Sequence, residues 1–250
     1  MKRIALITGM GIAYKQFRGL QLAHFQNTAA ATRSLTTALK RRSWEMQTDL
    51  QEQKCTRAAI QWQLEQNAQT AKNLAASGQT VELLFYYRGH ADRTYGFGTG
   101  ESAATGNLND EYLVTWSPAA LLDSHIADHE ARKWFFTDDA LTQPIKAALP
   151  YVERYFVILD CCYSGGLIDE AHLADPKLVV LAASNEHTKA WGEQGGVTFF
   201  TSALSNALQF YPKTLSDLKQ HTTSQLRSNY HAASQPHFRI HPQLLNTPSI

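Results

Sequence analysis

Two side chains of this chain stand where their types could do chemistry together: the thiol of Cys162 and the imidazole of His90. Cys162 comes just after the apolar run Tyr155-Phe156-Val157-Ile158-Leu159, with Asp160 and Cys161 between, and is followed by Tyr163-Ser164-Gly165-Gly166. His90 comes just after Val81-Glu82-Leu83-Leu84-Phe85-Tyr86-Tyr87, with Arg88 and Gly89 between, and is followed by Ala91. Each therefore sits past the C-terminal end of a predicted strand, where open α/β sheets hold reactive groups rigidly yet within reach of a ligand. In a parallel sheet such residues become neighbours although distant in sequence. That is the arrangement of a cysteine nucleophile and its base. Amide cleavage also needs donors for an oxyanion, which the backbone N–H groups of Cys162 and Ala91 can supply. Gly89, Ala91, Gly165 and Gly166 are small enough to let a peptide backbone come close. Taken singly, a buried Cys or a strand-end His is more often structural. The two motifs carry weight jointly.

The elements that must position these residues are written as alternating strands and helices. Strands are predicted over Arg3 to Thr8, Ser43 to Leu50, Thr80 to Tyr87, Tyr155 to Asp160 and Lys177 to Ala183, with a last short one over Phe238 to Ile240. Apolar residues at Ala31, Leu35, Ala38 and Leu39 mark a helix over Asn27 to Lys40. Thr56 caps a second helix through Ile60, Leu64, Ala68, Ala71 and Leu74 that stops at Gly78. Thr137 caps a third through Leu149, bent at Pro144. Two more run over Phe199 to Phe210 and Thr214 to Tyr230. Residues 91–118, rich in Gly and Asn, read as a hairpin excursion. Repeated β-α-β alternation predicts a mostly parallel sheet with helices on both faces. No linker, charge block or repeat divides the chain, so residues 1–250 read as one domain.

Composition narrows the function. A formal net charge of +1 over 250 residues recommends neither nucleic acid nor an anionic membrane as partner. No apolar run reaches the ~20 residues that span a bilayer. The start, Met1 to Gly9, reads as a first strand and not as a signal peptide. Three cysteines, two of them adjacent, form no disulfide framework and suit a reducing, cytoplasmic location. Ile4 to Ile12 begins like a dinucleotide-binding turn but lacks the third glycine and the acidic residue ending a second strand, so a nucleotide-dependent oxidoreductase is not expected. His221, His231, His237 and His241 lack the compact spacing of a zinc site. No cofactor and no metal are expected.

The pair Tyr86-Tyr87-Arg88-Gly89-His90-Ala91 and Leu159-Asp160-Cys161-Cys162-Tyr163-Ser164-Gly165 resembles the caspase-like cysteine peptidases, metacaspases and their bacterial relatives most of all. The opening strand Ile4 to Gly9, the helix start Cys55 to Ile60, and Leu181-Ala182-Ala183-Ser184 followed by Gly195 to Thr201 resemble further pieces of that family, in the same order. The resemblance implies a caspase-like α/β sandwich of three layers, with a large-subunit-like part over about 1–170 and a small-subunit-like part over about 177–250. It implies a cysteine endopeptidase with Cys162 as nucleophile and His90 as base, and with Cys161 turned to the other side of the strand end. Protein or peptide substrates follow, and a regulatory protein partner is possible.

For Asp160 the residues alone allow a role in capping the following turn. The resemblance implies instead a carboxylate at the base of the P1 pocket that pairs with Arg or Lys. Thr28, Arg88 and Ser184 join it as expected substrate-binding positions. Two of them depart from the family pattern: Thr28 stands where an aspartate is usual, and Arg88 where a small residue is usual. Arg88 neutralises the pocket if it turns toward Asp160 and leaves it acidic if it faces solvent. Both departures keep open a second function, a catalytically silent caspase-like module that binds protein partners. Asp169, Glu170 and Asp175 are scattered, so calcium dependence is not predicted. The segment from Ser164 to Pro176 holds no Lys or Arg, so an enzyme cutting after basic residues has no site there, and activity as a single uncut chain is expected.

Overall fold

The computed structural model describes residues 1–11, 28–95, 109–116, 135–168, 175–191, 198–210, 212–230 and 235–250. In chain order its main elements are β1 (Lys2–Gly9), α1 (Thr28–Arg41), β2 (Glu45–Gln51), α2 (Arg57–Ala76), β3 (Val81–Arg88), β4 (Ala91–Tyr95) and β5 (Asn109–Leu113). They are followed by β6 (Phe136–Thr137), α3 (Asp138–Ala148), β7 (Arg154–Asp160), β8 (Leu178–Ala182), α4 (Phe199–Gln209), α5 (Leu215–Tyr230) and β9 (His237–Ile240). Six strands form one sheet in the order β2-β1-β3-β7-β8-β9. All neighbours are parallel except β8 and β9, which run antiparallel. The excursion after His90 is a separate antiparallel sheet, β4-β5-β6. Its third strand is only two residues long, and so short a strand leaves no periodicity to read.

The central strands are apolar throughout because both faces are covered, as parallel sheets require. Successive side chains point to opposite faces. Leu83, Phe85, Tyr87, Tyr155, Val157 and Leu159 pack toward α2 and α3. Leu84, Tyr86, Phe156 and Ile158 pack toward α1, α4 and α5. The result is an α/β three-layer sandwich. Each large apolar side chain so buried contributes roughly 1.5–3 kcal/mol. The helices start where hydroxyl caps say they should: Thr56, Thr137 and Thr198 accept bonds from the backbone N–H groups of Ala59, Ala140 and Thr201. Pro144 lies inside α3 without ending it; the helix passes into a 3-10 turn at Leu149–Tyr151.

Charge closes the edge of the sheet where β3 and β7 begin. Glu82, fully buried, accepts from Arg3 Nε at 2.7 Å and from Arg154 Nε at 2.5 Å. Arg154 also donates to Thr247 Oγ1 at 3.2 Å and to the Pro248 carbonyl, so the last described residues are tied to the same point.

Candidate active site

The opposite edge, where the parallel strands end, carries the reactive groups. β3 and β7 are neighbours, and their last register pair is Arg88 with Asp160. One step beyond, the Gly89 N–H donates to the Asp160 carbonyl at 3.3 Å. His90 and Cys162 each stand two residues past that register pair, on chains only about 4.8 Å apart at the strand ends. Both are part-exposed, while Tyr87, Cys161 and the strand residues behind them are buried.

The His90 backbone is clamped. Its carbonyl accepts from the Val114 N–H at 2.9 Å and from the Tyr87 hydroxyl at 2.9 Å, and that hydroxyl also reaches the Val114 carbonyl at 2.8 Å. A side chain at Gly89 has no room: a Cβ there would lie 2.4 Å from the Tyr87 hydroxyl and 3.0 Å from the Met10 carbonyl oxygen. The glycine before the histidine thus lets β3 turn sharply against its own last tyrosine. Ala91 begins β4 and is buried.

The turn that carries Cys162 is equally fixed. Tyr163 adopts the left-handed conformation at φ 53°, uncommon for a residue with a side chain. Its N–H donates to the Thr188 carbonyl at 3.0 Å, and the Arg93 guanidinium lies 4.9 Å from its ring centre. Beneath it, Ser164 and Ser184 are fully buried and interlocked. The Ser164 N–H donates to Ser184 Oγ at 3.1 Å, the two hydroxyls meet at 3.0 Å, and Ser184 Oγ donates to the Cys161 carbonyl at 3.1 Å. Ser184, expected at the substrate, is placed under the turn, with its hydroxyl facing Ser164 and Cys161.

Burial pushes the Cys162 thiol above its ordinary value, with the charges of Asp92 and Asp160 adding to the rise. The nearby Ala190 backbone N–H and the Lys189 charge oppose it. Cys161 is pushed well up, first by burial and then by the sulfur of Cys162. It packs in the α2/α3 layer, away from the site. Cys55, also buried, is pushed up to about 12. Of the three thiols, Cys162 alone is part-exposed.

Asp160 and Arg88 lie below this surface, 1 % and 0 % exposed. Asp160 Oδ2 accepts from the hydroxyls of Thr198 and Thr201, and Thr201 Oγ1 meets the Tyr86 hydroxyl at 2.6 Å. Burial raises the Asp160 carboxyl, while the two threonines and the Arg88 charge work the other way. Thr198, Thr201, Lys189 and Ala190 were not anticipated from sequence. Thr198 was visible only as a hydroxyl ahead of a helix, and nothing local shows that α4 begins beside the end of β7. Thr28 is the first residue of α1. Asp169, Glu170 and Gly195 to Val197 lie outside the described residues, as do 96–108 of the excursion. Among the described residues there is no cluster of potential metal ligands.

A family model described as Caspase domain matches residues 2–246. No curated protein matches the chain by sequence. Among solved structures, the crystal structure of caspase-1 from Spodoptera frugiperda is similar over 96 % of this chain and 86 % of that one, with a TM-score of 0.53 and 11 % sequence identity. At that identity the structural likeness speaks for the fold alone.

Proposed function

Because the chain belongs to the caspase-domain family of cysteine peptidases, we propose that it is an endopeptidase acting through Cys162 and His90. The observation that carries the reading is the Gly89 N–H to Asp160 carbonyl bond. It joins the ends of β3 and β7 and sets a part-exposed imidazole and a part-exposed thiol on one rigid edge. Since burial holds the resting thiol protonated, a base must take the proton as the sulfur attacks.

In this mechanism His90 accepts the Cys162 proton and the sulfur adds to the scissile carbonyl carbon. The oxyanion is received by the N–H groups of Cys162 and Ala91. The His90 imidazolium then protonates the leaving amine, the C–N bond breaks, and a thioester remains. Water, deprotonated by His90, cleaves the thioester and restores the thiol. The Ser164–Ser184 lock and the Tyr87 clamp would hold nucleophile and base in place.

Substrates are proteins or peptides. The family resemblance points to Arg or Lys at P1 through Asp160, whose register partner, the buried Arg88, departs from the family pattern. Among the described residues no helix is long and apolar enough to cross a membrane. The three free thiols suit a reducing compartment such as the cytoplasm. A mixed peptide library digested by wild type and by Cys162→Ala tests the reading. Cleavage by the first and none by the second is expected.

A further inference from the structure

Arg88 and Asp160 are register partners on adjacent parallel strands, so their side chains leave the sheet on the same face. It is the face of Tyr86 and Ile158, which precede them by two residues and pack toward α4. Both charged groups are buried. Asp160 Oδ2 is held by two threonine hydroxyls from α4 and its cap. Asp160 Oδ1 has no hydrogen-bond partner among the described residues. The two side chains make no hydrogen bond to each other, and the Arg88 charge acts on this carboxylate through space from the neighbouring strand.

We propose that Arg88 is a specificity-determining residue: it is the built-in counter-ion of Asp160, and the P1 pocket therefore takes an uncharged side chain and rejects Arg and Lys. The proposal rests on the endopeptidase reading and on Asp160 lying at the base of that pocket. A lone buried carboxylate attracts a cation because an unpaired charge away from water is costly. With Arg88 on the next strand the pair is already neutral. A basic P1 residue would bring an unbalanced positive charge against a guanidinium in a water-poor place, and an acidic one would do the same against Asp160. A neutral side chain meets neither penalty. Asp160 also cannot swing to a new cation without giving up two charge-assisted bonds from Thr198 and Thr201.

The test uses peptide chloromethyl ketones that differ only at P1 (Gln, Leu, Arg, Lys or Asp), with Cys162 modification followed by intact mass. Wild type should react at least ~10-fold faster with the Gln or Leu probe than with the Arg, Lys or Asp probe, tenfold corresponding to one unbalanced interaction of about 1.4 kcal/mol. Arg88→Ser should reverse the order in favour of Arg and Lys. Wild type reacting fastest with a basic probe overturns the proposal, and so does a folded Arg88→Ser that gains nothing toward basic probes. A stability cycle addresses the pair without any activity. Arg88→Met should lower the melting temperature by roughly 10 °C, as loss of one partner of a buried pair does. Adding Asp160→Asn should recover most of that loss; purely additive losses overturn the pairing. If no probe modifies Cys162 while the cycle shows strong coupling, the endopeptidase reading has failed and the Arg88–Asp160 pair stands.

Discussion

The β3–β7 strand pair is bounded by two acid–arginine pairs of opposite polarity, and the two are held differently. Where the strands begin, Glu82 of β3 faces Arg154 of β7; where they end, Arg88 of β3 faces Asp160 of β7. Both pairs lie on the same face of the sheet, since they are an even number of residues apart. At the first, Arg3 and Arg154 both hydrogen-bond to Glu82, and Arg154 ties in the chain near Thr247. At the second, Asp160 is held by threonines through one oxygen, and its other oxygen has no such bond among the described residues. The first pair is saturated and holds structure. The second has no hydrogen bond between its own two members and lies beside the part-exposed His90 and Cys162. A buried ion pair is a weak source of net stability but a costly thing to break. The first pair fastens the fold, and on the proposal above the second has a part in choosing substrate.

The comparison breaks first at the base. If His90 is the base proposed above, His90→Ala should lower kcat/KM by roughly 10²–10⁴ and shift the melting temperature far less than loss of a buried charge does, since the residue is part-exposed. Peptide hydrolysis beside a thermal melt checks both halves. Glu82→Ala should do the reverse. It strands two arginines, one of them buried, and should cost about 3–5 kcal/mol, while the folded fraction cleaves peptide at the wild-type rate. Urea unfolding with active-site titration measures the two separately. A large activity loss per folded molecule would show that the two edges are not independent.

Ser184→Ala sharpens the comparison. It removes the hydroxyl partner of the Ser164 N–H and the donor to the Cys161 carbonyl, a loss of about 1–3 kcal/mol. Because these bonds support the turn under Cys162, kcat should fall roughly 10-fold, about 1.4 kcal/mol, with KM little changed. A rise in KM alone would return Ser184 to the substrate. The smallest effect concerns pH. In His90→Ala, iodoacetamide labelling of Cys162 should rise with pH through a midpoint above the ordinary thiol value of ~8.5, because burial disfavours the thiolate. The sign is fixed by that direction: the folded thiol keeps its proton to higher pH than a free one. A midpoint below the ordinary value would mean that the Ala190 N–H and Lys189 outweigh burial.

Much of this was legible in the sequence because strand ends write themselves in apolar runs. Tyr155 to Leu159 and Val81 to Tyr87 placed Cys162 and His90 at one edge, and Cys161, turned aside as the resemblance implies, packs with Leu159. The helix caps at Thr56 and Thr137 were equally local, and both are present. What was not legible depends on elements meeting across the fold. Thr198 and Thr201 reach Asp160 only because α4 begins beside the end of β7. The direction of Arg88 depends on strand register, which one sequence leaves open. The resemblance implies Ser184 near substrate; its full burial under a turn contributed by a different strand is again set by elements meeting across the fold.

The most direct test compares two adjacent thiols. Wild type, Cys161→Ala and Cys162→Ala are each confirmed folded by thermal melt and digested against the same peptide library. Peptide cleavage by wild type and by Cys161→Ala, with none by Cys162→Ala, is the expected result. Equal loss in both variants, or cleavage that survives Cys162→Ala, would contradict the account, and a folded wild type that neither cleaves peptide nor takes up iodoacetamide at Cys162 would mark the chain as a silent binding module.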